Sequence, residues 1–335
     1  MFGSGSPQRT QHRLGVVAVG ALLLAACGSD DPASSSGSSQ PADSTAAAVV
    51  VATTSIWADI TANVACDGLA DVRVIIPPGG DPHSFEPSLR DRETMDTADL
   101  IVANGLFLEE SLEDTIDAVE SGGVPVLRIG DGLDPIPTSA ASHDDDHDDE
   151  AAHDDHGDDD PHVWWDPTRI AAAVPLIADE LVEAGLDRER VDVCAGQYVD
   201  DLTRLDDELT TIVATLPVDQ RLLVTNHDSL GYFADRYDFE VLGSVIPSSS
   251  SLAATSPAEL DALAADIEAT GVPAIFADTQ NSSDDADALA NRIGDVEVIS
   301  MLTDTLDEPG TDQGTYVGWL RQNVETIVEA LGGAS

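Results

Sequence analysis

The feature that most constrains the fold is a series of short apolar runs, rich in β-branched residues and separated by segments long enough for helices. The runs span residues 49–52, 72–76, 100–103, 124–127, 222–225, 241–242, 274–277 and 296–299. Such a pattern is typical of parallel strands that helices cover on both faces. Because the runs fall into two sets of four, the sequence predicts two α/β lobes.

A long amphipathic segment separates the two sets. Its apolar residues recur mostly at three-, four- and seven-residue steps: Val191, Tyr198, Leu202, Leu205, Leu209 and Ile212. This spacing predicts one helix over 188–216, which Pro217 ends because proline cannot continue the hydrogen-bond ladder. We therefore expect a first lobe at 48–187, a linking helix, and a second lobe at 217–335. A stiff connection of this kind would limit hinge opening.

Composition and net charge indicate which kinds of partner the chain can bind. The chain has 335 residues and 42% hydrophobic content, enough for two packed lobes. Fourteen basic residues against 64 acidic ones give a formal net charge of −50, which would repel nucleic acid and attract cations. Nucleic acid is therefore excluded as a partner.

The N-terminus resembles a bacterial lipoprotein signal. Arg9 and Arg13 precede a short apolar stretch at 14–26, which ends in small residues before Cys27. This predicts a signal peptide at 1–26 and a lipidated Cys27, which would anchor the protein outside the cytoplasmic membrane. The alternative, an uncleaved membrane span, needs a longer apolar run than this one.

The segment that follows is rich in Ser, Gly, Pro and Ala and predicts a flexible tether at 27–47. With Cys27 used for lipid, Cys66 and Cys194 remain in an oxidising compartment. A disulfide between them and a pair of free thiols are both compatible with the sequence.

The histidines are few and unevenly placed. Four of the eight, His143, His147, His153 and His156, lie in a low-complexity tract at 143–160 among eleven acidic residues. His12 belongs to the signal. His83, His162 and His227 lie elsewhere in the body of the chain.

These three histidines and Asp304 follow predicted strands. In parallel sheets, groups just beyond the carboxyl ends of the strands line the crevice where ligands bind, so we expect the four side chains to meet between the lobes. Three imidazoles and a carboxylate suit zinc, which takes four ligands in tetrahedral geometry. Taken singly, each histidine would be interpreted as an ordinary core or surface residue. Their joint placement favours a metal site.

Four local sequences resemble those of the zinc and manganese solute-binding proteins of ABC importers. They are PPGGDPHSFEP at 77–87, NGLFLE at 104–109, DPHVWWDP at 160–167 and TNHDSLGYF at 225–233. The resemblance covers nearly the whole body of the chain, with the motifs in order.

The resemblance implies two α/β lobes joined by a rigid helix, with metal held between them by His83, His162, His227 and Asp304. Manganese-selective relatives tend to carry Glu at the position of His227, so histidine there indicates the zinc type. Asp304 matches only loosely, and water or another carboxylate is the alternative fourth ligand.

Two neighbouring features have further interpretations. The tract at 143–160 resembles a charged loop of zinc-type members and predicts a second, weaker class of zinc binding, whereas a solvated charge run without a role is the alternative.

Trp164 and Trp165 pack between the lobes or shield the site from water, and Asp166 is a candidate acceptor for an imidazole N–H.

The resemblance therefore implies a monomeric binding protein, not an enzyme, that captures Zn²⁺ and delivers it to a membrane permease. Mn²⁺ in the same role is one alternative. A surface adhesin or metal buffer without transport is another. A zinc hydrolase would need an open coordination position, and the sequence lacks the His-Glu-x-x-His motif.

Overall fold

A computed structural model describes residues 47–66, 68–138 and 159–332. The predicted signal peptide, Cys27, nearly all of the tether and the four tract histidines lie outside these residues. Among the helices in the described ranges, none combines the length and the apolar character that crossing a membrane requires.

The first sheet is parallel throughout, with strand order β2-β1-β3-β4. Its strands are β1 Ala48–Ala52, β2 Ala70–Val74, β3 Leu100–Ala103 and β4 Val126–Arg128. Its helices are α1 Ser55–Val64, α2 Leu89–Asp96 and α3 Glu113–Ser121, with α4 Pro167–Glu183 following. β1 and β3 occupy the centre, which explains why their sequences are almost wholly apolar.

The second sheet repeats the arrangement with order β6-β5-β7-β8, again parallel. Its strands are β5 Leu222–His227, β6 Glu240–Ile246, β7 Ala274–Asp278 and β8 Glu297–Met301. After the linking helix α5 Arg188–Val213 come α6 Gly231–Tyr237, α7 Pro257–Thr270, α8 Asp284–Ile293 and α9 Tyr316–Gly332.

The predicted fold class, two parallel-sheet lobes joined by one long helix, is confirmed. Several predicted boundaries need correction, among them the following three. The linking helix ends at Val213, three residues before the predicted limit, because the chain turns ahead of Pro217. β2 ends at Val74 rather than at 76, and β4 begins at Val126 rather than at 124.

Local sequence signals fix several helix ends. Thr54 accepts a hydrogen bond from the backbone N–H of Trp57 at the start of α1, and Ser256 forms a capping box with Glu259 at the start of α7. Gly271 ends α7 with φ of 72°, a left-handed conformation that suits glycine.

A continuous hydrophobic core passes through both lobes. It includes Val50 and Trp57 of the first lobe and Leu223 and Phe276 of the second. The Trp165 ring lies 4.8 Å from that of Trp319, centroid to centroid. The helix α5 packs against α1, α4 and α9, so it contacts elements of both lobes. This shared core opposes wide separation of the lobes, because opening would expose apolar surface.

Asp159 and Asp160, the last two residues of the predicted tract at 143–160, are among the described residues. Asp159 pairs with Pro137 in an antiparallel bridge, and Asp160 is buried. These two residues therefore belong to the folded body. A disulfide joins Cys66, just after α1, to Cys194 of α5, with Cα atoms 5.7 Å apart.

Candidate metal centre

Three of the four predicted ligands lie at or beyond the carboxyl end of a strand, and the fourth, His162, lies in the segment before α4. His83 lies in the loop after β2, and Asp304 lies three residues beyond β8. His227 is the last residue of β5 itself rather than the loop residue that the sequence suggested. His162 directly precedes a short 3₁₀ turn, Val163–Trp165, which leads into α4.

The structure brings the four side chains together. One potential ligand atom from each of His83, His162, His227 and Asp304 can be chosen so that all four lie within 4.8 Å of one another. All four residues are at most 1% exposed. The Nε2 atoms of His162 and His227 are 3.2 Å apart. Tetrahedral zinc with bonds of about 2.1 Å requires ligand atoms about 3.4 Å apart. Small side-chain movements would therefore bring all four ligand atoms to zinc-binding distance.

Several polar atoms at the centre of the cluster have no hydrogen-bond partner among the described residues. They are both ring nitrogens of His83 and Oδ1 of Asp304, all fully buried. Leaving such atoms unsatisfied costs free energy, so buried polar groups without partners need a physical explanation. A cation bound between these atoms would satisfy them.

Two of the imidazoles are oriented by carboxylates that contact the ring nitrogen facing away from the cluster. The Nδ1 atom of His162 lies 2.7 Å from Oδ1 of Asp160, and that of His227 lies 2.8 Å from Oδ2 of Asp278. Each contact leaves Nε2 directed at the cluster, the arrangement typical of metal-binding histidines. Asp166, the predicted acceptor, instead caps α4 by accepting from the N–H of Thr168.

The sequence carried weak signals for these two carboxylates. Asp160 precedes His162 by two residues in the Asp-Pro-His motif, and Asp278 ends the buried strand β7. Acidic residues are so frequent in this chain that neither signal stood out.

Burial determines the charge of the pair His162 and Asp160. Burial lowers the pKa of His162 to about 3, so this imidazole is neutral at physiological pH. Burial also raises the pKa of Asp160 to about 7, against the opposing effect of the hydrogen bond from the His162 backbone. A neutral imidazole is the form that binds a metal ion.

His227 behaves in the opposite way. Burial alone would lower its pKa, but the charges of Asp278 and Asp304 outweigh burial and raise the pKa to about 10. Burial would raise the pKa of Asp278, but the His227 charge and its hydrogen bonds hold it below the ordinary value. Burial raises the pKa of Asp304. Protonated His227 can donate from Nε2 to His162, and a cation bound to both nitrogens must displace that proton.

Polar contacts between the lobes surround the cluster. Thr305 Oγ1 accepts from the backbone N–H of Gly79 at 2.9 Å and lies 3.2 Å from Ser55 Oγ. Trp164 Nε1 donates to the carbonyl of Thr303 at 3.0 Å. This ring therefore lies between the lobes, in line with the predicted packing role. These contacts tie the Asp304 loop to the first lobe.

Two parallel-sheet lobes on a long helix, with a buried set of side chains between them that could hold a metal ion, define the solute-binding class of the metal ABC transporters. Within that class the chain belongs to the ZnuA family, described as zinc-uptake complex component A, periplasmic, whose profile matches residues 50–330. The family resemblance inferred from the four motifs is thus confirmed. The chain is an extracytoplasmic, metal-binding component of an ABC transporter.

The relatives are named for different metals. The zinc-binding protein TroA of Treponema pallidum is 30% identical over 83% of this chain and 87% of its own length. The manganese-binding lipoprotein MntA of Bacillus subtilis is also 30% identical, over 84% of this chain and 88% of its own. The solved structure of TroA superimposes with a TM-score of 0.75 at 28% identity, covering 85% of this chain and 99% of that one.

Proposed function

We propose that this protein captures Zn²⁺ through His83, His162, His227 and Asp304 and delivers it to a permease in the cytoplasmic membrane. The observation that carries the proposal is the buried convergence of three imidazoles and one carboxylate from both lobes. Imidazole-rich sites favour zinc, whereas carboxylate-rich sites favour manganese. Four protein ligands would leave no position for a reactive water, which argues against a hydrolase.

Mn²⁺ is the second candidate, because several relatives are named as manganese-binding lipoproteins. The proposed ligand set contains one carboxylate, Asp304, so manganese would have to bind mainly through nitrogen. We therefore propose zinc as the preferred ion.

Anchoring through a lipid on Cys27 is part of the same proposal. The tether at 27–47 would allow the folded body to reach the permease while remaining attached to the membrane. Expression of Cys27→Ser in cells that process lipoproteins should release the protein into the soluble extracytoplasmic fraction. A variant that remains attached to the membrane to the same extent would contradict lipidation at Cys27.

Metal analysis of the purified protein, followed by competition between zinc and manganese, tests the proposed ion. We expect one tightly bound zinc ion per folded body, and zinc to displace manganese. A variant with His83, His162 and His227 all replaced by Gln should lose this tight binding. The control Glu268→Gln removes one exposed carboxylate on α7 and should leave it unchanged. Tight binding that survives the triple substitution would contradict the proposed site.

A further inference from the structure

A cavity of about 330 Å³ opens between the lobes beside the metal-ligand cluster. His83 and Glu110 of the first lobe line one side of it, and Ser248, Ser249 and Leu252 of the second lobe line the other. Pro161, which directly precedes His162, also contributes to the wall. The cavity therefore reaches two of the segments that carry proposed ligands.

Glu110 connects the cavity with the buried cluster. Its Oε1 atom lies 3.5 Å from Nδ1 of His83. The Glu110 side chain is 24% exposed and that of His83 is 1% exposed, so the carboxylate meets both solvent and a buried imidazole. Neither ring nitrogen of His83 has a hydrogen-bond partner in the described part of the chain.

His83 differs from His162 and His227 in the solvent exposure of the carboxylate beside it. The carboxylates behind His162 and His227 have side chains only 6% and 2% exposed, at hydrogen-bond distance. The carboxylate of Glu110 lies farther from its imidazole, at 3.5 Å from Nδ1 of His83, and is partly exposed to solvent. Among the proposed ligands, His83 is thus the one whose carboxylate neighbour a hydrated ion can approach from the cavity.

The backbone around Glu110 is held in an unusual conformation. Gly105, Leu106 and Phe107 all have positive φ, of 76°, 54° and 62°. Two consecutive non-glycine residues in this region are uncommon and cost free energy, and such strain clusters at functional sites. Just after this turn, Ser111 Oγ donates to the carbonyl of His83 at 3.0 Å, which fixes the segment that carries Glu110 against the His83 loop.

We propose that this cavity is the route by which a divalent cation reaches the cluster, and that Glu110 is its first protein ligand. The carboxylate holds the hydrated ion in the cavity until His83 and the remaining side chains replace its water. This inference rests on the proposed metal-capture function and adds a capture site with a residue assigned to it.

Stopped-flow mixing tests the assignment with Zn²⁺ as the probe. Protein and a zinc-responsive dye compete for the ion, and their initial partition gives the association rate. Glu110→Gln should lower that rate by up to about seventeenfold at low ionic strength, the Boltzmann factor for a divalent ion about 5 Å from one charge at the dielectric constant of water. The effect should shrink in high salt. Glu110→Asp, which keeps the charge, should recover most of the rate.

Glu268→Gln is the matched control, because it removes one exposed charge that does not line the cavity. Its association rate should stay close to that of the wild type. An unchanged rate in Glu110→Gln, or a change confined to dissociation, would overturn the capture site.

A second pair of variants covers the case in which a change at Glu110 disturbs folding. Leu252 lies on the cavity wall and is 54% exposed, so it tolerates polar replacement. Leu252→Lys should slow zinc capture and Leu252→Glu should speed it, whereas equal rates would contradict the route. If the wild-type protein binds one zinc ion tightly while these rates do not respond, only the route fails. If it binds none, the proposed function itself fails.

Discussion

Gly231 lies so close to Asp160 that a Cβ atom at position 231 would come within 2.6 Å of Asp160 Oδ2. Asp160 in turn holds Nδ1 of His162 at 2.7 Å. The first residue of α6, in the second lobe, therefore limits the position of a carboxylate that orients a proposed ligand.

Gly231→Ala should displace Asp160 and lower zinc affinity by about tenfold, the lower end of the range for changes to groups that orient metal ligands. Competition against a chelator of known affinity measures this. Gly196→Ala on the exposed face of α5 is the control, because no atom outside the adjoining helix backbone lies within 4 Å of the added Cβ. That control should bind zinc normally and gain up to about 1 kcal/mol of stability.

His227→Glu should shift selectivity towards manganese by replacing nitrogen with oxygen. The new carboxylate would face Asp278, which contacts the present imidazole at 2.8 Å, so the variant should be combined with Asp278→Asn to remove like-charge repulsion. We expect the ratio of zinc to manganese affinity to fall at least about tenfold. A control carrying Gln at 227 with the same Asp278 change should lose affinity for both ions. An unaltered ratio would contradict the role of His227.

Zinc binding should release protons at neutral pH. His227, with its pKa raised to about 10, is protonated below that value, and the ion must displace the proton. Affinity should therefore rise with pH up to about 10 and fall about tenfold for each unit of acidification per proton released. Calorimetry in buffers of different ionisation enthalpy counts the protons. Asp278→Asn should flatten the dependence, and binding without proton release would refute this account.

Glu109 is a structural residue next to the proposed capture ligand. Its buried carboxylate accepts from Thr53 Oγ1 at 2.6 Å and from the backbone N–H groups of Asn104 and Gly105. Glu109→Ala would leave these donors unsatisfied and should lower the free energy of unfolding by about 3 kcal/mol. Chemical denaturation measures it. Glu93→Ala, an exposed change on α2, should stay within about 0.5 kcal/mol of the wild type.

Deletion of residues 143–158 should remove a second, weaker class of zinc binding and leave the tight class intact. The deletion must stop before Asp159 and Asp160, because Asp160 supports His162. Calorimetry distinguishes the two classes. If both classes persist, the tract does not bind zinc.

The periodicity of the sequence was sufficient to predict the lobes and the linking helix, whereas the strand ends and the four motifs predicted the meeting of His83, His162, His227 and Asp304. Strand ends were reliable guides to His83, His227 and Asp304, because parallel strands expose their carboxyl ends at one edge, whereas His162 lies far beyond β4. The groups that orient the imidazoles were harder to predict. Asp160 lies two residues before His162 and Asp166 four residues after it, and the backbone turn at 163–165 determines which carboxylate reaches the ring. Glu110 meets His83 through a tertiary contact that no sequence period encodes.

The bond between Cys66 and Cys194 encloses the first lobe's last three strands and the whole acidic tract within one covalent loop. A protease that cuts inside this tract would therefore produce two pieces that stay attached until a reductant separates them. In an oxidising compartment, a nicked molecule would migrate as two bands only on a reducing gel, and the cleft residues on either side of the cut would remain in one particle.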